Sequence, residues 1–70
     1  MKFTKTGPEY IATTDIGTYF VCKSPFFTSQ WEAAFKSPRP NSPRVPARHT
    51  FGTLREAKEW CIENHDDRTN

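Results

Sequence analysis

The chain predicts an α+β domain, a three-stranded antiparallel sheet packed against one C-terminal helix (βββα). Three observations carry that prediction. Residues 9–14 (EYIATT) and 18–23 (TYFVCK) are rich in β-branched and aromatic side chains, and the short Asp15-Ile16-Gly17 step separates them. Residues 30–36 (QWEAAFK) alternate, with Trp31, Ala33 and Phe35 on one side and Gln30, Glu32, Ala34 and Lys36 on the other. Thr53 precedes Glu56 by three positions at the head of an amphipathic run, the pattern of a helix capping box.

Each element follows from local chemistry. Residues 1–8 read as a loose lead-in that closes on the breaker pair Gly7-Pro8. The first strand is 9–14, and Asp15-Ile16-Gly17 fits a short hairpin loop in which Gly17 is free to take positive φ. The second strand is 18–23. Its Thr18, Phe20, Cys22 face ends in no charge and is expected to point inward, leaving Tyr19, Val21 and Lys23 outside. Pro25 ends that strand and opens the loop 24–29 (SPFFTS). Phe26 and Phe27 in this loop either fold under the sheet edge or stand as exposed anchors for a partner.

The third strand is 30–36, because Pro38 blocks a helix from running on. Residues 37–47 (SPRPNSPRVPA) form a loop whose four prolines favour extended geometry and deny ladder hydrogen bonds. Residues 48–51 return as the tail of a long hairpin with the third strand. The helix spans about 54–65, with Leu54, Ala57, Cys61 and His65 on one face and Arg55, Glu56, Glu59 and Glu63 opposite. Lys58 falls near the buried side and must snorkel. Asp66 and Asp67 oppose the helix dipole, so residues 66–70 are expected to fray.

Seventy residues make one domain, 1–70. The ten aromatic side chains can each bury on the order of 150–250 Å². That suffices for a small sheet-on-helix core and leaves no room for a deep substrate cavity. No apolar run approaches the roughly 18 residues of a membrane span, and no apolar stretch follows Met1-Lys2. The expectation is an intracellular protein with Cys22 and Cys61 as free thiols, no membrane partner, and a monomer or weak dimer.

The net charge of +2 is unevenly spread. Residues 1–35 balance. Residues 36–55 carry Lys36, Arg39, Arg44, Arg48 and Arg55 with no acid, and residues 56–70 carry five acids against Lys58 and Arg68. A basic middle and an acidic tail attract different partners.

Trp31-Glu32-Ala33-Ala34-Phe35 and Phe51-Gly52-Thr53-Leu54-Arg55-Glu56-Ala57 resemble two elements of the plant ethylene-response-factor (Apetala-type) DNA-binding domain. The N-terminal arm-binding domain of phage and transposon integrases has a similar topology, and small phage proteins carry similar endings. The resemblance covers roughly residues 18–65 and implies a three-stranded sheet backed by one helix that binds DNA. In that family Arg and Trp on the exposed sheet face reach base edges. Here the strands offer Lys23, Gln30, Glu32 and Lys36 instead.

Phosphate contact therefore falls to the basic segment, with Lys36, Arg39, Arg44, Arg48 and Arg55 as candidate nucleic-acid-binding residues. The repeated Ser-Pro-Arg steps (37–39 and 42–44) suit an extended loop in a narrow minor groove. The competing expectation is a phage-type accessory protein that binds and modulates a host protein. It would use Phe26 and Phe27 with the acidic helix side chains Glu56, Glu59 and Glu63, or the Pro-x-x-Pro steps at 40–43 and 43–46.

Metal binding would need Cys61 and His65 joined by the distant Cys22 and His49, and no metal is expected. No cofactor, small-molecule substrate or enzymatic role is expected either. The carboxylates sit on a solvated helix face, and Gly7, Gly17 and Gly52 form no phosphate-cradling loop.

Overall fold

A computed structural model of the protein describes residues 1–69. The chain forms β1 (Thr4–Thr6), β2 (Glu9–Thr14), β3 (Gly17–Lys23), β4 (Trp31–Lys36), β5 (Arg44–Pro46) and α1 (Leu54–Thr69). The strands make one antiparallel meander in chain order, and α1 packs across one face. The expected three strands are present as β2, β3 and β4, and two short strands extend the sheet to five. Both additions lie where the sequence suggested loop.

β1 occupies the expected lead-in and turns into β2 through Gly7, whose φ is +61°. β5 occupies the middle of the proline-rich segment. It pairs only with β4, so its outer edge makes no ladder bonds and its one proline, Pro46, is tolerated. Short, exposed edges bearing Lys5 and Pro46 blunt the sheet against further pairing. Past β5, Phe51 rejoins β4: the Trp31 N–H donates to the Phe51 carbonyl at 2.7 Å and the Phe51 N–H donates back at 2.8 Å. That is the expected return of residues 48–51.

The core lies between the sheet and α1. Ala12, Tyr19, Val21, Ala33, Phe35 and Phe51 pack against Ala57 and Cys61. The third strand thus faces inward as expected, and the second does not. Tyr19 and Val21 are fully buried, while Thr18, Phe20 and Cys22 lie on the opposite face. The charge at Lys23 pointed the wrong way. Lys23 ends its strand, so its ammonium escapes over Trp31, 4.9 Å from the ring centroid, and donates to the Thr28 carbonyl at 3.2 Å.

The β2–β3 hairpin has a two-residue loop, Asp15-Ile16, with Thr14 paired to Gly17. Thr14 Oγ1 donates to the Gly17 carbonyl at 2.8 Å and accepts from the Ile16 N–H at 3.3 Å. Gly17 has φ +147° and is needed for room as much as for freedom. A Cβ there would stand 2.5 Å from both the Lys36 carbonyl oxygen and the Phe35 ring.

The helix starts where its sequence predicts, with the Thr53 half of the capping box formed and the Glu56 carboxylate on the hydroxyl rather than on a backbone N–H. Thr53 Oγ1 accepts from the Glu56 N–H at 3.1 Å, and the Glu56 carboxylate accepts from the same hydroxyl at 3.1 Å. The Glu56 side chain therefore braces the capping hydroxyl. Lys58 snorkels as expected, its ammonium 4.7 Å from the Tyr10 ring centroid and 5.3 Å from that of Phe3. The helix runs to Thr69, so residues 66–69 are helical; Asn70 lies outside the described residues. Three contacts hold this last turn. Asn64 Oδ1 accepts from Arg68 Nε at 2.7 Å, the Arg68 guanidinium stacks 4.1 Å over Phe35, and Thr69 Oγ1 donates to the His65 carbonyl at 3.0 Å.

Candidate functional site

The five cations of the basic segment separate into two groups. Arg44 belongs to β5, and its guanidinium reaches across the outer sheet face. It lies 3.6 Å over the Phe20 ring and pairs with the Glu9 carboxylate at 2.7 Å. Register explains the reach: Ile11, Phe20, Ala34 and Pro46 form one cross-sheet row on that face, and Arg44 strides along it to the far strand. Arg44 is therefore structural, not part of a solvated loop. Arg55 sits on the first turn of α1 and pairs with Glu59 at 3.1 Å. It is about 20 Å along the helix from Arg68, which stacks beside β4. The helix thus carries Arg55 away from the other cations.

Lys36, Arg39 and Arg48 make no ion pair among the described residues. Lys36 Nζ meets only the Ser37 carbonyl, at 3.5 Å, and Arg39 engages Ser37 Oγ through its backbone alone, at 3.4 Å. Lys36 ends β4 opposite Arg44, Arg39 lies in the β4–β5 connection, and Arg48 follows β5. The structure adds a fourth cation, Arg68, on the helical turn beyond His65 where fraying was expected. The signal was present in the spacing, because Ala57, Cys61, Asn64 and Arg68 follow one helix face.

Between β5 and α1 lies a hollow of about 390 Å³. Its apolar lining includes Phe35, Val45 and Trp60, and its polar lining is Arg48, His49, Asn64 and Arg68. No carboxylate among the described residues lines it. Val45 faces the helix side with Phe35 yet is 55% exposed, since α1 leaves this corner of the sheet uncovered. The aromatic lining is held from behind. Trp60 meets Tyr19 edge-to-face at 6.5 Å and leans on Phe51 at 6.4 Å, and His49 rests on Phe51 at 4.7 Å. Tyr19 donates its hydroxyl hydrogen to Asn64 Oδ1 at 3.1 Å. Burial pushes the Tyr19 phenol above its ordinary value, and the nearby Arg68 guanidinium partly offsets that.

Phe26 and Phe27 resolve to the exposed alternative, 82% and 60% open to solvent. Their loop is nonetheless ordered by its own chemistry. Buried Ser24 Oγ accepts from the Phe26 N–H at 3.2 Å and from the Phe27 N–H at 3.1 Å, and the Gln30 N–H closes the turn on the Phe27 carbonyl at 2.8 Å. The helix acids expected to join them are engaged elsewhere. Glu56 braces the cap, and Glu59 pairs with Arg55. Glu56, Glu59 and Glu63 surround a separate hollow of about 270 Å³ with His49, Phe51 and Trp60, whose lining does not include Phe26 or Phe27.

Cys61 is buried in the core, and burial pushes its thiol up to about 12. Cys22 lies half-buried on the outer face, contrary to the expected core position. Burial raises its thiol first, and the carboxylates of Glu32 and Glu9 raise it further. Among the described residues no group of three His, Cys, Asp or Glu side chains could hold a metal ion. No helix of the described residues is long and apolar enough to cross a membrane.

The molecule thus defines a class: a small five-stranded meander backed by one helix, with a cation-lined hollow at the sheet–helix margin. No protein-family model, curated protein or solved structure matches the chain.

Proposed function

We propose that the protein is a nucleic-acid-binding module that works without catalysis, through phosphate contacts along its β4–β5 margin. The single observation that carries this reading is the meeting there of two cations, Arg48 and Arg68, that make no ion pair among the described residues. Arg48 and Arg68 line one hollow free of carboxylates, while Lys36 ends β4 on the outer face beside Arg44 and Arg39 follows in the β4–β5 connection. Cations beside a concave aromatic wall are suited to a polyanion with flat bases, and the affinity would fall steeply with salt. The resemblance to the ethylene-response-factor domain supports the class of partner but not its mode. The outer sheet face carries Glu9 and Glu32, and its one arginine is occupied.

The test is a mobility shift on duplex and single-stranded DNA over a salt series. Changing Lys36, Arg39 and Arg48 together to Ala should weaken binding and flatten the salt slope by about 3, because each of the three cations would otherwise neutralise one phosphate. Absence of binding at low salt rejects the reading.

A second reading rests on Phe26 and Phe27. Two adjacent phenylalanines held out by an ordered turn favour a protein partner, such as the host protein of a phage-type accessory factor. Changing both to Ser should abolish capture of that partner without altering the fold. A partner retained by the double variant would reject this surface.

A further inference from the structure

We infer that the hollow between β5 and α1 receives one unpaired nucleotide of a single strand, its base against Trp60 and His49 and its phosphate on Arg48 and Arg68. The inference rests on the nucleic-acid reading and names the form of nucleic acid that this margin takes.

Four features point the same way. The volume, about 390 Å³, lies toward the small end of ligand sites, which run from roughly 300 to 1,000 Å³, and suits a single nucleotide rather than a longer segment. The lining divides into aromatic and cationic parts, and a nucleotide divides likewise into base and phosphate.

Arg68 is also prepared for an anion. Its Nε donates to Asn64 Oδ1 and its plane rests on Phe35, so the guanidinium is held in one orientation beside the hollow. Arg68 forms no ion pair among the described residues, and the neighbouring Asp66 and Asp67 do not line the hollow. The aromatic wall is likewise fixed before binding, because Trp60 is clamped between Tyr19 and Phe51.

A duplex cannot use this arrangement. Its bases are already stacked inward, and extruding one costs a few kcal/mol. A single strand offers an unstacked base at once, and base–aromatic stacking favours its capture. The strand should therefore bind roughly tenfold or more tighter than a duplex of equal nucleotide count. Stacking and phosphate pairing are common to DNA and RNA, so strands of both are within the chemistry of the hollow.

The experiment uses the full chain with Trp31→Phe, so that Trp60 is the sole indole. Oligothymidylate, oligouridylate and a blunt duplex are titrated at one low salt concentration, reading anisotropy of the labelled nucleic acid and Trp60 emission. The expected result is tighter binding of at least one single strand than of duplex, with quenching of Trp60. The two strand arms tell DNA from RNA. Arg68→Ala, and separately Arg48→Ala, should remove most of the single-strand advantage. Arg48 makes no side-chain bond among the described residues, so its replacement leaves the fold intact. Equal affinity for strand and duplex, or binding without any change in Trp60 emission, overturns the inference and leaves the broader reading standing. Failure of all three nucleic acids to bind overturns both.

Discussion

The Tyr19 hydroxyl lies 3.1 Å from Asn64 Oδ1, and the same oxygen accepts from Arg68 Nε at 2.7 Å. One amide oxygen thus joins the central strand, the last two turns of the helix and a wall of the candidate site. Tyr19 is fully buried, so its hydroxyl must find a partner, and only Asn64 among the described residues provides one.

Tyr19→Phe removes the donor and leaves the ring packing in place. The destabilisation should be about 1 kcal/mol, as for a typical buried hydrogen bond. Hydrogen exchange should quicken selectively in residues 64–69. A global effect with no preference for that turn would show that the hydroxyl does not anchor the helix end.

Gly17→Ala should be among the most damaging single changes in the chain. Its φ of +147° disfavours a side chain, and the new methyl would meet the Lys36 carbonyl oxygen and the Phe35 ring at 2.5 Å. Strain and overpacking together should cost about 3 kcal/mol or more. Gly7→Ala is the control. Gly7 also has positive φ, +61°, but nothing lies within 4 Å of the added Cβ, so the cost should be only about 1–2 kcal/mol. Chemical denaturation of both variants checks the order, and comparable costs would remove the role assigned to the Phe35 ring.

The contrast between those glycines shows what could be seen in the residues beforehand. Gly17 was identifiable as a hairpin position, but the need for empty space arises from Phe35, far along the chain, and no local pattern announces it. The helix start was legible because the residues of its cap, Thr53 and Glu56, lie within one turn. The helix end was not, since Asp66 and Asp67 disfavour it locally while Tyr19 and Phe35 hold it from other elements. The edge strands escaped for a related reason: β1 and β5 bury none of their residues, so they carry no hydrophobic alternation. At the candidate site Arg48 could be picked out by charge. Arg68 was signalled only by its spacing from Ala57, Cys61 and Asn64, and that signal counts only once the helix is known to run a further turn.

Arg44 and Arg48 lie four positions apart in the same basic segment and should behave oppositely. Arg44 covers Phe20 and binds Glu9 at 2.7 Å with half its side chain still exposed. Arg44→Ala should cost about 1 kcal/mol, chiefly through the packing it removes from the ring, and should leave nucleic-acid binding nearly unchanged. Glu9→Gln should cost less than about 0.5 kcal/mol, since an exposed pair contributes little. Arg48→Ala should spare stability and weaken binding. Paired denaturation and anisotropy measurements separate these outcomes, and a strong binding defect in Arg44→Ala would place the binding surface on the outer sheet face instead.

Three groups whose acid forms are favoured by burial, Tyr19, Cys22 and Cys61, make the fold sensitive to alkali. In the unfolded chain a thiol ionises near about 8.5 and a phenol near about 10. In the folded chain all three are raised, Cys61 to about 12. The unfolded state therefore releases protons first. The stabilisation is fully present below about pH 8.5 and fades progressively as pH rises toward the folded-state values. The urea midpoint should stay level up to that pH and fall beyond it, with a shallower fall in Cys61→Ala. A thiol reagent offers an independent check on the same burial: in the native protein Cys22 should react slowly, held back first by burial and then by Glu32 and Glu9, and Cys61 should react only after unfolding. Prompt modification of both thiols in the folded chain would contradict the placement of Cys61 between the helix and the sheet.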